Sequence, residues 1–162
     1  MTTLTQLKKL SKSGLTKFLT DNGFTMSKPF KFYREGPEGI YQIIHFGLSY
    51  STNLKVSAHC HTDEMNRRIP RPFPESFCDL VGGELEPGEP VAYSNGYIWN
   101  VEKEQDAINS LIEIQDCIEK TAFPFFEYIS NRQKLIDFMP KPWFVDDSLK
   151  EMAKDIKNWT PN

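Results

Sequence analysis

The chain has 162 residues, of which 39% are hydrophobic, 25% charged and 13% aromatic, with a formal charge of −3. This is a globular composition about one domain long, and it excludes a wholly disordered chain. No apolar run nears the ~18 residues that cross a bilayer, and Met1–Lys9 lacks the apolar region of a secretory signal, so a cytoplasmic protein without membrane contact is expected.

The charge is unevenly placed. Residues 1–34 hold seven Lys/Arg against one Asp, residues 35–119 hold five against 15 acidic residues, and residues 120–162 hold seven against six. An acidic middle argues against a nucleic-acid footprint, which needs Lys/Arg along one face, and suits a basic partner. Three cysteines, Cys60, Cys78 and Cys117, are too few for a disulfide framework and contain no C-x-x-C, so free thiols are expected.

In chain order, Leu4, Leu7, Leu10, Leu15, Phe18 and Leu19 form one stripe at helical spacing, predicting an amphipathic helix over residues 4–20 that Gly23 ends. Three strand-like segments follow: 30–34, 40–48 and 54–61, with Glu35–Gly39 and Ser49–Asn53 as turns. The third alternates strictly, Leu54, Val56, Ala58 and Cys60 against Lys55, Ser57, His59 and His61, as a half-buried strand does.

Residues 62–76 carry Arg67, Arg68 and Arg71 among three prolines and are expected to be neither helix nor central strand. Phe77–Leu85 reads as a strand with a bend at Gly82-Gly83, residues 84–90 as an acidic loop, and Tyr97–Trp99 as a short strand.

Helices then take over. Ile108, Leu111, Ile112, Ile114 and Ile118 share a stripe, with Asn100 as candidate N-cap and Pro124 as an interruption. Ser130–Gln133 and Ser148–Glu151 have capping-box spacing; the first opens a helix that Pro140 stops, the second a helix over 147–159. Consecutive strands followed by helices predict an α+β fold. The expected form is one domain over residues 1–162, with a meander-like antiparallel sheet and helices on one face, an N-terminal helix first and C-terminal helices last.

The pattern Gly23-Phe24, Phe32-Tyr33-Arg34, Tyr41-Gln42-Ile43-Ile44 with Phe46, Asn53–Val56, Cys78-Asp79-Leu80 with Gly83, Trp99, and Pro124-Phe125-Phe126 resembles the bacterial family named domain of unknown function 4304, across most of residues 4–139. It departs in having a single Trp99 in place of an adjacent aromatic pair, and the tail after Pro140 stands as an addition. The resemblance implies a bacterial α+β domain and brings no catalytic residues. By analogy, small domains of this kind act as immunity or toxin-linked proteins.

For chemistry, the three histidines lie close in sequence. His59 and His61 share a strand face, and a hairpin turning near Ser51-Thr52 puts His45 roughly opposite His59, so His45, His59 and His61 form a candidate metal site, with Asp63 or Glu64 nearby. The competing reading is an exposed polar strand face. Cys60 points away from both histidines and belongs to the core. Nucleophile-elbow, phosphate-loop, dinucleotide and zinc-protease motifs are absent, and no motif calls for a cofactor. The rigid acidic loop with Glu84, Glu86 and Glu89 is the candidate partner-binding surface.

The leading expectation is a non-catalytic interaction protein, plausible as an immunity-type protein that neutralises a basic toxin domain. The alternative is a metal-binding protein or metal-dependent hydrolase on the three histidines. A small-ligand binder using the aromatic-rich sheet is a third class.

Overall fold

The computed structural model describes residues 2–27, 30–68, 81–91, 96–139 and 147–161, except the side chains of 66–68, 148 and 149. Two short helices, α1 (Leu4–Ser11) and α2 (Leu15–Asp21), precede strands β1 (Thr25–Ser27), β2 (Lys31–Glu35), β3 (Tyr41–Ser49) and β4 (Asn53–His61). Helix α3 (Asp63–Arg68), β5 (Gly82–Glu84) and β6 (Trp99–Asn100) follow, then α4 (Glu104–Cys117), a π-helical turn (Ile118–Ala122), α5 (Phe123–Tyr128), α6 (Arg132–Phe138) and α7 (Asp147–Lys157).

The sheet is antiparallel in the order β1-β2-β3-β4-β5, with β6 also on β4. The α+β reading and its helix-first, helices-last order hold. Alternation sets the two faces. Phe32, Ile44 and Ala58 lie in one cross-strand row and Phe46 beside Val56 in the next. These residues join Leu7, Leu15, Leu19, Leu111, Ile114, Ile118 and Phe126 from the helices in one core cluster, which reaches Ile156 in α7. Phe30 stacks on Phe46 with ring centroids 4.5 Å apart, and Phe32 meets Phe46 edge-on at 5.8 Å. Several such aromatic contacts add to area burial and fix ring orientation. Cys60 is fully buried in this cluster, as its place in the alternation requires.

The structure corrects several local expectations. The helix over 4–20 is two helices. Ser11 turns its hydroxyl to the Lys8 carbonyl (3.0 Å) and the Thr16 hydroxyl (2.8 Å), and Gly14 leaves helical geometry at φ −111, ψ −97. Small polar residues and Gly offer the backbone these alternatives. The short strand β1 arises where no alternation marks it. Asp63–Arg68, taken as non-helical because of the prolines that follow, is α3. Asn100 belongs to β6 and accepts from the Glu102 amide (2.8 Å); the N-cap of α4 is Lys103. Ile112 is 65% exposed because the buried stripe of α4 runs through Ala107, Ser110, Leu111, Ile114 and Cys117, one face over.

Pro124 does not interrupt the helical path. The Phe123 amide bonds to the Ile118 carbonyl across a π turn, and Pro124 enters α5 in its first turn, where its missing N–H costs least. Helix α6 is capped by Asn131, whose side chain accepts from the Lys134 amide (2.9 Å), in place of the Ser130 box. The expected strand over 77–80, the bulk of the Arg/Pro segment and the loop 140–144 lie outside the described residues. No helix among the described residues is long and apolar enough to cross a membrane.

Candidate functional site: an acidic cleft around Arg132

The cleft starts from a turn. Between β2 and β3 the chain reverses through Gly36–Ile40, closed by Gly36 N–H to Ile40 O (2.8 Å) and Ile40 N–H to Pro37 O (3.0 Å). Glu38 sits there at φ +55, in the left-handed region that disfavours a side chain. Arg132, 94 residues later, holds it in place. Its Nε donates to the Glu38 carbonyl (2.8 Å), while its backbone amide donates to the Glu38 carboxylate (2.8 Å). That carboxylate thereby satisfies a free amide at the start of α6, where a helix has no internal acceptor.

The Arg132 guanidinium continues inward. Its Nη1 meets Glu64 Oε2 of α3 at 3.0 Å, with the two side chains 6% and 8% exposed, and donates to the Ile156 carbonyl of α7 at 3.1 Å. Its Cζ lies 4.7 Å from the centroid of the Trp159 ring. A buried cation is tolerated only when paired and hydrogen-bonded, and here the guanidinium has both an ion pair to Glu64 and hydrogen bonds to two carbonyls.

Around this core opens a cleft of about 860 Å³. Its walls carry Glu35 at the end of β2, Glu38 on the turn, Asp63 and Glu64 on α3 and Asp155 on α7, with Tyr41 and Trp159 as aromatic surface. Arg132 is the one Lys or Arg among the described lining residues, and its charge is matched by Glu64. The other charged lining residues are carboxylates. Tyr41 reports them: burial raises the phenol's pKa, and the carboxylates of Asp63 and Glu35 push it further in the same direction.

The histidines behave differently from the expectation. The hairpin closes on Ser49 and Asn53, so His45 faces Ser57, and His59 faces Ile43. Tyr50 and Ser51 both take positive φ, which centres the reversal one residue earlier than a Ser51-Thr52 turn. All three histidines share the sheet face opposite the core, with His45 diagonal to His59. This is no exposed polar face, since His59 is 4% and His61 1% exposed. Lys31, 2% exposed, lies opposite His45 on the same face. The His59 pKa is pushed down to about 3, first by burial and then by the positive charges of His45, His61 and Lys31. Among the described residues no group of three His, Cys, Asp or Glu side chains is placed to hold a metal ion.

Glu84, Glu86 and Glu89 do not act as one loop. Glu84 is in β5, opposite Ser57, and pairs with Lys55 at 3.3 Å. Glu86 and Glu89 close a tight turn through Glu89 N–H to Glu86 O (3.1 Å), with Gly88 at φ +81. Cys60 and Cys117 are buried free thiols, and burial raises the pKa of both.

Sequence reading missed the cleft because its carboxylates come from three stretches far apart in the chain, 35–38, 63–64 and 155. The one local signal was the turn Glu35-Gly36-Pro37-Glu38-Gly39, with acidic residues on both sides of a proline. No protein-family model, curated protein or solved structure matches the chain.

Proposed function

We propose that the protein is a non-catalytic interaction module whose acidic cleft receives a basic segment of a partner protein. An immunity-type protein that neutralises a basic toxin domain is the biological form of this reading. The observation that carries it is the convergence of Glu35, Glu38, Asp63 and Asp155 on one cleft where Arg132, the one Lys or Arg among the described lining residues, is paired with Glu64. Such a cleft raises the local concentration of a cationic segment and speeds its encounter. Tyr41 supplies an aromatic ring beside Trp159, whose ring already carries the Arg132 guanidinium, and a cationic side chain favours such ring faces.

The test is calorimetric titration with an arginine-rich peptide at low and high salt. Saturable binding that weakens with salt and falls about tenfold in Glu35→Gln/Asp63→Asn/Asp155→Asn supports the cleft. The variant Glu84→Gln/Glu86→Gln/Glu89→Gln is the control and should bind as the parent does. Unchanged binding in the cleft variant, or loss in the control alone, overturns the assignment.

A further inference from the structure

A second cavity, lined by residues 88–91, the π turn, α5 and the end of α6, has the opposite chemistry. It encloses about 450 Å³ between the Glu86–Glu89 turn region and the helical path from the π turn to α6. Val91, Phe125, Tyr128 and Phe138 give it carbon walls. Thr121 also lines it, with its one hydroxyl hydrogen donated to the Cys117 carbonyl (2.7 Å). A volume of this size with apolar walls and few polar groups is the usual form of a small-molecule site.

The helix is deformed where it borders the cavity. Pro124 brings no N–H to the ladder, and the π turn accommodates it directly beside Thr121 and Phe125. Such turns recur at functional sites. Two charged residues mark the rim. The Lys120 side chain is 71% exposed and its ammonium lies 2.9 Å from both carboxylate oxygens of Asp116, with its outer side open to water. Glu89 stands on the turn.

We infer that this cavity binds an apolar small molecule carrying one carboxylate, with the chain or ring among Val91, Phe125 and Phe138 and the carboxylate on Lys120. Asp116 and Lys120 form an exposed pair worth little by itself, so a ligand carboxylate competes with water more than with Asp116.

The probe is decanoate, with decanol as its uncharged counterpart. Calorimetry should give one saturable site for decanoate, with decanol several-fold weaker. Backbone amide shifts on titration should concentrate at Val91, Thr121 and Phe125. Lys120→Gln should weaken decanoate about threefold to fivefold, and Glu89→Gln should tighten it, since each alters one surface charge. Both residues are exposed, so neither variant threatens folding, and the shift map needs no variant at all. No binding at millimolar decanoate, shifts centred elsewhere, or decanol binding as tightly as decanoate would each overturn the inference.

Discussion

Glu38 and Arg132 hold each other from both ends. The Glu38 carboxylate accepts the Arg132 amide, and the Arg132 side chain donates to the Glu38 carbonyl. One arginine thus fixes a strained turn, starts α6, neutralises Glu64 and anchors α7 through Ile156. Removing it leaves a buried carboxylate without its cation. Arg132→Ala should cost about 3–5 kcal/mol in urea unfolding. Arg132→Lys should recover little, because an ammonium lacks the planar fork that reaches Glu38, Glu64 and Ile156 together. Recovery of the second variant to the parental midpoint would show that charge alone matters.

Gly82 shows a requirement of shape. It lies at φ +141, and a Cβ there would fall 2.1 Å from the Ala58 carbonyl oxygen and 2.8 Å from His59 Nδ1. Gly82→Ala must therefore separate β5 from β4, and a loss of about 3 kcal/mol or more is expected. Gly88 has positive φ but open space around it, so Gly88→Ala should cost only about 1–2 kcal/mol of backbone strain. Equal losses in the two would mean that backbone conformation, and not the approach of the strands, sets the cost at position 82.

The β3–β4 hairpin tip carries strain that the fold does not repay. Tyr50 has φ +54 and Ser51 φ +59, and Tyr50 is 90% exposed. Two left-handed central residues are what an Asn-Gly pair adopts readily. Tyr50→Asn/Ser51→Gly should raise stability by about 1 kcal/mol, seen as a higher urea midpoint at unchanged slope. A lower midpoint would reveal a packing role for the Tyr50 ring.

The sheet was legible because alternation is local. Leu54, Val56, Ala58 and Cys60 share a face by spacing alone, and the structure puts all four in the core. The helix over 4–20 was over-read because the apolar stripe continues through Ser11–Gly14 while the backbone does not. The His45–His59 pairing slipped by two residues because the register depends on which turn residues accept positive φ, and Tyr50 is an uncommon choice. Beyond the acidic turn Glu35–Gly39, the cleft was not legible. Glu38 and Arg132 are 94 residues apart, and no local spacing relates them.

His59 gives the fold a specific weakness to acid. Its pKa is about 3 in the folded protein, against about 6.5 in an unfolded chain. Above pH 6.5 the imidazole is neutral in both states and contributes no slope. Between 6.5 and 3 the unfolded chain takes up a proton that the folded chain refuses, so stability falls as the pH is lowered. Below about 3 both states are protonated and the slope ends. Each unit of difference is worth about 1.4 kcal/mol, so this one group removes a few kcal/mol over that window. His59→Gln keeps a polar group of similar reach and cannot titrate. Its unfolding free energy should fall less steeply between pH 6.5 and 3 than the parent's, with the two curves parallel above pH 7. The His59 ring protons should also show no titration shift in the folded protein down to pH 4. Parallel curves across the whole range, or a ring titrating near 6.5, would place the charged form comfortably inside the fold and contradict its burial among His45, His61 and Lys31.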